Sequence, residues 1–325
     1  MLRIYSFNWF GLLCCLLLAL ACSSPSGHTA TTQVKFSAKQ HPNFGAYWYT
    51  GQAEMSRYQL EQAHYGALYP GETVLIFVTE DFLTKAQVKR ESATSDASTP
   101  VLKLNASRKF ITGIYDYSLF TSVFTPIQSD QFGHTLKVTT SVQDWCGQTF
   151  HQLNLRSNEY QVLARSYFQA AGDEDYAVKT AVLEDEIWNR IRLHPQSLPQ
   201  GEVRVIPGTA TARLRHQRLE PRDAKGELKP YSGGSFTASQ PGDSLLSYTL
   251  TYADRSLHIV FEKAFPYLIA GWEETYQSGS KKLTTRAIRT HTKRTDYWTK
   301  NTPADSTRRK EMGIRIGLQE DPVAK

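Results

Sequence analysis

The chain has 325 residues, of which 40% are hydrophobic, and its 37 lysines and arginines outnumber 31 aspartates and glutamates to give a formal net charge of +6. This length is enough for one large or two modest domains with a true hydrophobic core, so size alone requires neither disulfides nor metals. The modest positive charge is scattered among acids over most of the chain and does not indicate a nucleic-acid partner.

Residues 1–21 predict an export signal. Arg3 is followed by an apolar run over residues 10–20, too short to span a bilayer, and small residues lead into Cys22. This segment resembles the lipobox of bacterial lipoproteins, which implies that the chain is cut before Cys22 and that Cys22 is acylated. A plain signal peptide and an uncleaved anchor are the alternatives.

The resemblance also implies a location. A triacylated Cys22 would hold the protein permanently at a membrane, because even two acyl chains anchor a protein stably. The next residue is Ser23 rather than Asp, which in proteobacterial lipoproteins implies transfer to the outer membrane. We therefore expect a cell-envelope protein whose lipid anchor makes the membrane its first partner.

The composition along the chain predicts one β-rich domain behind a tether. Residues 22–42 are rich in Ser, Thr, Gly and Ala without an apolar period, which is typical of a flexible lipidated tether. Residues 43–300 contain short runs of Val, Ile, Thr, Tyr and Phe between turn residues, the pattern of antiparallel strands. Residues 74–78 predict a central strand. Residues 51–65 fit either a helix or a hairpin, and we favour the hairpin.

Twelve of the segments in this domain have the pattern of strands: residues 74–78, 101–110, 117–124, 135–142, 149–156, 160–168, 202–206, 209–219, 245–252, 257–261, 268–276 and 283–292. One helix is expected near residues 175–193, with acids at its start and arginines at its end. Residues 220–243 predict a loop. The predicted fold is mainly β, with antiparallel curved sheets or an open barrel in two halves and one central α-helix.

The last segment, residues 301–325, predicts a loose basic tail. Lys and Arg outnumber the acids in the last fifty residues. A basic face for anionic lipid headgroups is one interpretation, and a solvated strand face with a loose tail is the one we favour.

Cys146 is the only cysteine expected in the folded part, because Cys14 and Cys15 lie in the signal. An intrachain disulfide is therefore excluded there, and a buried, packed thiol is the expectation. Cys146 and His151 are candidates for a thiol hydrolase, although residues five apart on a strand face opposite sides. Whether Cys146 is reactive or only packed stays open.

Other candidate site residues are weaker still. Trp272 and Glu273 suggest a carboxylate site that acts on sugars, or simply a strand. Aromatic side chains that are equally typical of sheets could line a ligand groove: Tyr47, Trp48, Tyr49 and Trp145. The acids at 173–175 and 184–186 lack the pattern of a calcium loop. We expect no metal and no cofactor.

Four segments support a family resemblance: residues 46–54, 74–82, 145–147 and 183–189. With them, the chain resembles a family of uncharacterised Bacteroidota lipoproteins that are often labelled "septum formation inhibitor Maf". True Maf proteins are cytoplasmic nucleotide pyrophosphatases with an S-x-S-P-R-R motif near the N-terminus. The most similar segment here, Ser306 to Glu311, lacks the proline and lies near the C-terminus, so the label does not describe this chain.

The sequence therefore predicts a cellular location and a class of protein, and it does not predict a reaction. The first expectation is a non-enzymatic, membrane-anchored binding module for an amphiphilic, lipid-like ligand or an envelope protein. One alternative is an extracytoplasmic hydrolase that uses Cys146 or Glu273, and another is a structural subunit of an envelope complex.

Overall fold

The computed structural model of the chain describes residues 40–128, 130–169 and 171–314. These residues lie in one compact unit of the chain, residues 33–325. This unit contains every helix and strand given below, so a protein that begins at Gln33 keeps all the described elements. The predicted signal and the predicted lipidation site, Cys22, lie outside the described residues.

The strands account for most of the described chain. The first nine are β1 (Ala53–His64), β2 (Ala67–Leu83), β3 (Val88–Lys89), β4 (Ser98–Thr112), β5 (Tyr115–Pro126), β6 (Lys137–Asp144), β7 (Gly147–Arg156), β8 (Glu159–Ser166) and β9 (Glu174–Lys179). The others are β10 (Val182–Leu183), β11 (Gly201–Ile206), β12 (Arg222–Pro230), β13 (Leu245–Thr251), β14 (Arg255–Glu262), β15 (Ile269–Ser278) and β16 (Lys281–Thr295).

Three α-helices and three 3-10 helices complete the described elements: α1 (Phe44–Trp48), α2 (Glu184–Leu193), α3 (Thr209–Leu214), Pro195–Ser197, Tyr297–Thr299 and Pro303–Met312. Within the described ranges, no helix is long and apolar enough to cross a membrane. The segment predicted as a loose basic tail begins with the last of these 3-10 helices, and Met312 at its end is buried.

All sixteen described strands join one sheet. The hydrogen-bonded order is β10-β11-β12-β13-β14-β15-β16-β1-β2-β4-β5-β6-β7-β8-β9, with β3 paired to β2. Every neighbouring pair is antiparallel except β10 and β11, and the sheet is not closed because β9 and β10 are its two ends. A mainly β, antiparallel fold is confirmed. The division into two halves is not confirmed, because β16 pairs directly with β1.

Three local predictions are wrong. Residues 174–179 are a strand, because Tyr176 and Val178 alternate with exposed neighbours, so the helix begins only at Glu184. The strand predicted over 209–219 contains α3, and the loop predicted over 220–243 contains β12. The single predicted helix is accompanied by α1 and α3.

Helix α2 lies inside the curve of the sheet and contacts several of its strands. Ile187 and Ile191 are fully buried. The ring of Trp188 lies 5.0 Å from that of Trp272 in β15, while the side chain of Asn189 donates to the carbonyl of Leu102 in β4 at 3.0 Å. The helix therefore fills the interior that an open barrel would otherwise offer to a ligand.

Helix α3 is docked on the start of α2 by a carboxylate. Oδ2 of Asp185 accepts hydrogen bonds from the backbone N–H and the hydroxyl of Thr209, both at 2.9 Å. Gly208, just before α3, allows this approach, because a Cβ there would lie 2.7 Å from Oε1 of Glu184. The hydroxyl of Thr209 also contacts that of Thr140 in β6 at 2.6 Å, which fixes α3 against the sheet.

The register brings several turns to one end of the sheet, which we call the rim. Here β1 ends and β2 begins, β4 turns into β5 at residues 113–114, and β6 turns into β7 at residues 145–146. Helix α3 follows β11 at the same end. Helix α1, which precedes β1, lies at the opposite end.

Candidate functional site

A cavity of about 140 Å³ opens at the rim, and we call it the rim pocket. Five segments meet there: the end of β1, β5, the turn between β6 and β7, the residues after β8, and α3 with the turn that follows it. Its lining residues are His64, Tyr65, Tyr117, Asp144, Cys146, Phe168, Arg213, Leu214 and His216. Hydroxyl, imidazole and guanidinium groups lie among aromatic rings in this lining, so the site is able to donate hydrogen bonds.

Arg213, on α3, is the principal charge of the rim pocket and is only 8% exposed. Its Nε donates to the hydroxyl of Thr149 at 3.0 Å, and its Nη1 lies 3.3 Å from Nδ1 of His216. The guanidinium carbon is 4.6 Å from the centroid of the Phe168 ring. Among the described residues, Nη2 makes no hydrogen bond, so two N–H donors stay available.

Arg213 differs from the other buried arginines in its partners. Arg190 pairs with Glu186, Arg192 with Glu54, and Arg255 with both Glu184 and Glu274. Within the described ranges, no carboxylate lies within 4.0 Å of Arg213. Burying a charge without a close ion-pair partner is costly, so the guanidinium of Arg213 keeps hydrogen-bonding capacity that an anion could use.

Burial and the carboxylate of Asp144 act on Arg213 in opposite directions. Burial lowers the pKa of Arg213, and the negative charge of Asp144 raises it; arginine remains protonated at neutral pH in either case. Oδ1 of Asp144 is already engaged, because it accepts the backbone N–H groups of Cys146 at 2.6 Å and Gly147 at 3.2 Å. Asp144 therefore holds the β6–β7 turn and does not neutralise Arg213 directly.

Burial keeps the histidines of this region neutral. It lowers the pKa of His64 to about 4, assisted by the positive charges of His216 and Arg213, and Asp144 partly opposes the shift. His151, in β7, also has its pKa lowered to about 4, by burial and then by Arg213. Burial lowers the pKa of His216 as well. At neutral pH, Arg213 is therefore the cation of the site.

Two tyrosines supply hydroxyl groups to the rim pocket. The hydroxyls of Tyr65 and Tyr117 are 2.7 Å apart, and Nε2 of His64 lies 3.4 Å from the hydroxyl of Tyr117. Burial raises the pKa of both tyrosines, so both stay protonated and can donate. The ring of Tyr117 stacks on Phe110 at 4.7 Å between centroids, which fixes its orientation.

The structure places the predicted thiol at the mouth of this pocket. Cys146 is exposed, so the expectation of a packed, buried thiol is wrong: a two-residue turn leaves its side chain without core neighbours. His151 is in β7 and is not a lining residue. The histidines that line the pocket with Cys146 are His64 and His216, and within the described ranges no hydrogen bond joins its thiol to an imidazole.

The other candidate residues lie elsewhere. Tyr47 and Trp48 belong to α1, at the end opposite the rim, where Trp48 is buried and the hydroxyl of Tyr47 donates to Glu54. Tyr49 follows them and is exposed. Trp272 is core, in contact with Tyr58 and Trp188, and Glu273 pairs with Arg286 at 2.7 Å on the surface. Trp145 is exposed beside Cys146 at the rim.

The sequence did not reveal how these parts combine. Arg213 was missed because residues 209–219 were assigned to a strand, where an arginine is one of several basic residues on a solvated face. The signal that was present is topological: in an antiparallel meander, every second turn lies at the same end. That rule groups Tyr65 with Asp144 and Cys146, although it cannot place Arg213.

Comparisons with protein-family models, with curated proteins and with solved structures find no match to this chain. Among the described residues, no group of three or more His, Cys, Asp or Glu side chains is arranged to hold a metal ion. The functional argument therefore rests on the rim pocket itself.

Proposed function

We propose that the chain is a binding module of the cell envelope whose rim pocket holds a small anionic group, a phosphate or a carboxylate. The observation that carries this proposal is Arg213, a buried guanidinium that lines a cavity and has no carboxylate within 4.0 Å in the described part of the chain. The envelope location and the lipid anchor at Cys22 belong to the proposal too, on the strength of residues 1–22.

The size of the cavity supports an anionic group rather than an acyl chain. Pockets that enclose drug-sized ligands typically measure about 300–1,000 Å³, whereas this one measures about 140 Å³. A single water needs only about 10–15 Å³, so an oxyanion has ample room. Because α2 fills the interior of the sheet, the apolar part of an amphiphilic ligand would have to stay outside.

The donors are suited to oxygen atoms that carry negative charge. A guanidinium and an anion form charge-assisted hydrogen bonds, roughly twice as strong as neutral ones. Nη2 of Arg213 offers two N–H groups. The hydroxyls of Tyr65 and Tyr117 are hydrogen-bonded to each other, so one of their two O–H groups is used between them and the pair offers at most one more donor. The neutral imidazoles of His64 and His216 can donate from one ring nitrogen each.

Isothermal titration calorimetry with inorganic phosphate, methyl phosphate and acetate tests the proposal, on the protein that begins at Gln33. We expect binding by the wild type and a loss of about 10- to 100-fold in affinity for Arg213→Gln, which removes one charged donor. Arg213→Lys should lie between them, because it keeps the charge and loses the planar fork.

The matched control is Arg204→Gln, which removes an equal charge from an exposed pair with Asp223 and should leave affinity unchanged. An equal loss of anion affinity in Arg213→Gln and Arg204→Gln would mean that binding depends only on the net charge of the protein. Absence of heat with all three anions, or full affinity in Arg213→Gln, would contradict the proposal.

A thiol hydrolase is the second candidate, because Cys146 shares the pocket with two imidazoles that burial keeps unprotonated at neutral pH. Such an imidazole can accept the thiol proton. Cys146→Ser separates the two functions: it should abolish any esterase activity towards a p-nitrophenyl ester and leave phosphate binding intact. Glu273 is not favoured as a catalytic acid, because its carboxylate is paired with Arg286.

A further inference from the structure

Large apolar side chains stand exposed around the mouth of the rim pocket. They are Tyr65, Ile114, Trp145 and Tyr167, each between 60% and 83% exposed. Single exposed apolar residues are ordinary on protein surfaces. Four of them at one end are a different feature, because the β1–β2, β4–β5, β6–β7 and β8–β9 connections each carry one.

We call these four side chains the rim tips, and three of them belong to the rim pocket or are next to its lining residues in sequence. Tyr65 lines it, and Trp145 and Tyr167 directly adjoin the lining residues Cys146 and Phe168. The ring of Tyr167 covers the β6–β7 turn, since a Cβ on Gly147 would lie 2.8 Å from it. A ligand held by Arg213 would therefore have Tyr65 beside it, with Trp145 and Tyr167 next to the residues that line the pocket.

The composition of the rim tips fits the boundary between water and lipid. Trp and Tyr combine an apolar ring with a polar atom, and they are enriched where one end of a side chain is in hydrocarbon and the other in water. Three of the four tips are Trp or Tyr, and the fourth, Ile114, is the most exposed of them. Short apolar tips on separate hairpins can enter a headgroup layer without a flat complementary partner.

The charge at the rim is specific rather than diffuse. Lys281 and Lys282 lie at the turn into β16 at this end, but exposed Asp116 and Asp173 lie there too. A general attraction to anionic lipid is therefore small and screened by salt. Arg213, which is buried and has no carboxylate within 4.0 Å among the described residues, is the group that would distinguish an anionic headgroup from a neutral one.

We propose that the rim docks on a membrane surface, with the rim tips in the headgroup layer and the phosphate of an anionic phospholipid in the rim pocket beside Arg213. This inference rests on the proposed anion binding and names its ligand. The predicted tether does not prevent it. Residues 23–40 span up to about 60 Å when extended, which exceeds the roughly 40 Å length of β1, so the rim can reach the anchoring membrane.

Vesicle flotation tests the docking, again with the protein that begins at Gln33. The vesicles are phosphatidylcholine alone and phosphatidylcholine mixed with an equal amount of phosphatidylglycerol. We expect preferential binding to the mixed vesicles. Trp145→Ser combined with Tyr167→Ser should weaken it on the order of tenfold, and Ile114→Ser, at another tip, should weaken it in the same direction.

The matched control is Trp298→Ser with Tyr49→Ser, which removes one exposed Trp and one exposed Tyr from the opposite end and should leave binding unchanged. Arg213→Gln should abolish the preference for phosphatidylglycerol. Circular dichroism verifies that each variant is folded, and quenching of Trp145 fluorescence by brominated phospholipid reports insertion directly.

The outcomes separate the two proposals. Binding of free methyl phosphate without binding of vesicles would overturn the docking and leave the proposed function standing. Equal binding to both kinds of vesicle, unaffected by Arg213→Gln, would overturn headgroup recognition. Binding to soluble polyglutamate in preference to vesicles would also overturn the docking and indicate an acidic protein partner, while binding to none of these anions would contradict both proposals.

Discussion

The buried arginines around α2 and the buried arginine of the rim show two uses of the same side chain. Arg190, Arg192 and Arg255 each contact a carboxylate, whereas Arg213 contacts a hydroxyl, an imidazole and an aromatic ring. A buried charge with its partner holds elements in place, and one without a partner retains its attraction for something else. The comparison predicts that breaking an ion pair of the first group lowers the free energy of unfolding far more than substituting Arg213.

The largest expected effect is at Glu54. Its carboxylate accepts from both terminal nitrogens of Arg192 and from the hydroxyl of Tyr47. Glu54→Gln leaves Arg192 buried without a counter-charge, and we expect the free energy of unfolding in urea to fall by about 3–5 kcal/mol. If Glu54→Gln is as stable as the wild type, the distinction between the two groups of arginines is lost.

Two further variants make this measurement specific. Glu54→Gln combined with Arg192→Met removes both charges and should be more stable than Glu54→Gln alone, because no unpaired charge stays buried. Glu273→Gln, which breaks the exposed pair with Arg286, should cost less than about 1 kcal/mol.

Two buried histidines near the rim and a buried aspartate on α2 should change the free energy of unfolding in opposite directions as the pH falls from 7 to 4. His64 and His151 have pKa values lowered from 6.5 to about 4. As the pH falls below 6.5, these histidines are protonated in the unfolded chain while they stay neutral in the folded protein. The stability that they contribute above pH 6.5 is therefore lost as the pH falls through 4. His151→Gln should make the loss of stability on acidification shallower, by roughly 1–3 kcal/mol over the interval.

Asp185, which joins α2 to α3, provides the matched contrast. Burial raises its pKa from 3.8 to about 7, although the hydrogen bonds from Thr209 oppose the shift. As the pH falls below 7, the folded protein protonates Asp185 before the unfolded chain does, so this residue adds stability that is fully present below pH 3.8 and is lost as the pH rises through 7. Asp185→Asn removes this gain and should make the loss of stability on acidification steeper. Urea unfolding at intervals of pH measures both slopes, and a common sign for the two variants would contradict the assignment.

Much of the fold could be predicted from the sequence, because period-two alternation is a local signal. The strands predicted over 101–110 and 283–292 lie within β4 and β16. The predictions failed where tertiary contacts decide. Residues 209–214 form α3 because Asp185, 24 positions earlier, accepts hydrogen bonds from Thr209, and no window of sequence contains that contact.

The site was less predictable than the fold for a related reason. Cys146 stood out as a lone thiol, and Trp145 as an aromatic residue beside it. The feature that gives the rim pocket its character is that no carboxylate in the described part of the chain lies within 4.0 Å of Arg213, and this depends on which residues the fold brings together. Arg213 and Arg215 look equivalent in the sequence, yet only Arg215 has a carboxylate partner, Asp254 at 2.8 Å.

The smallest expected change in stability is at Arg213 itself. Arg213→Gln removes a hydrogen bond to Thr149 and the contact with Phe168, a loss of about 1–2 kcal/mol. It also removes a buried charge that has no carboxylate partner in the described part of the chain, a gain of similar size. We expect the free energy of unfolding to change by less than about 1 kcal/mol in buffer without phosphate.

With methyl phosphate at concentrations above its dissociation constant, only the wild type should gain stability, because only its folded state binds the anion. A loss in buffer as large as that of Glu54→Gln would instead make Arg213 part of the scaffold and remove the reason to expect an anion beside it.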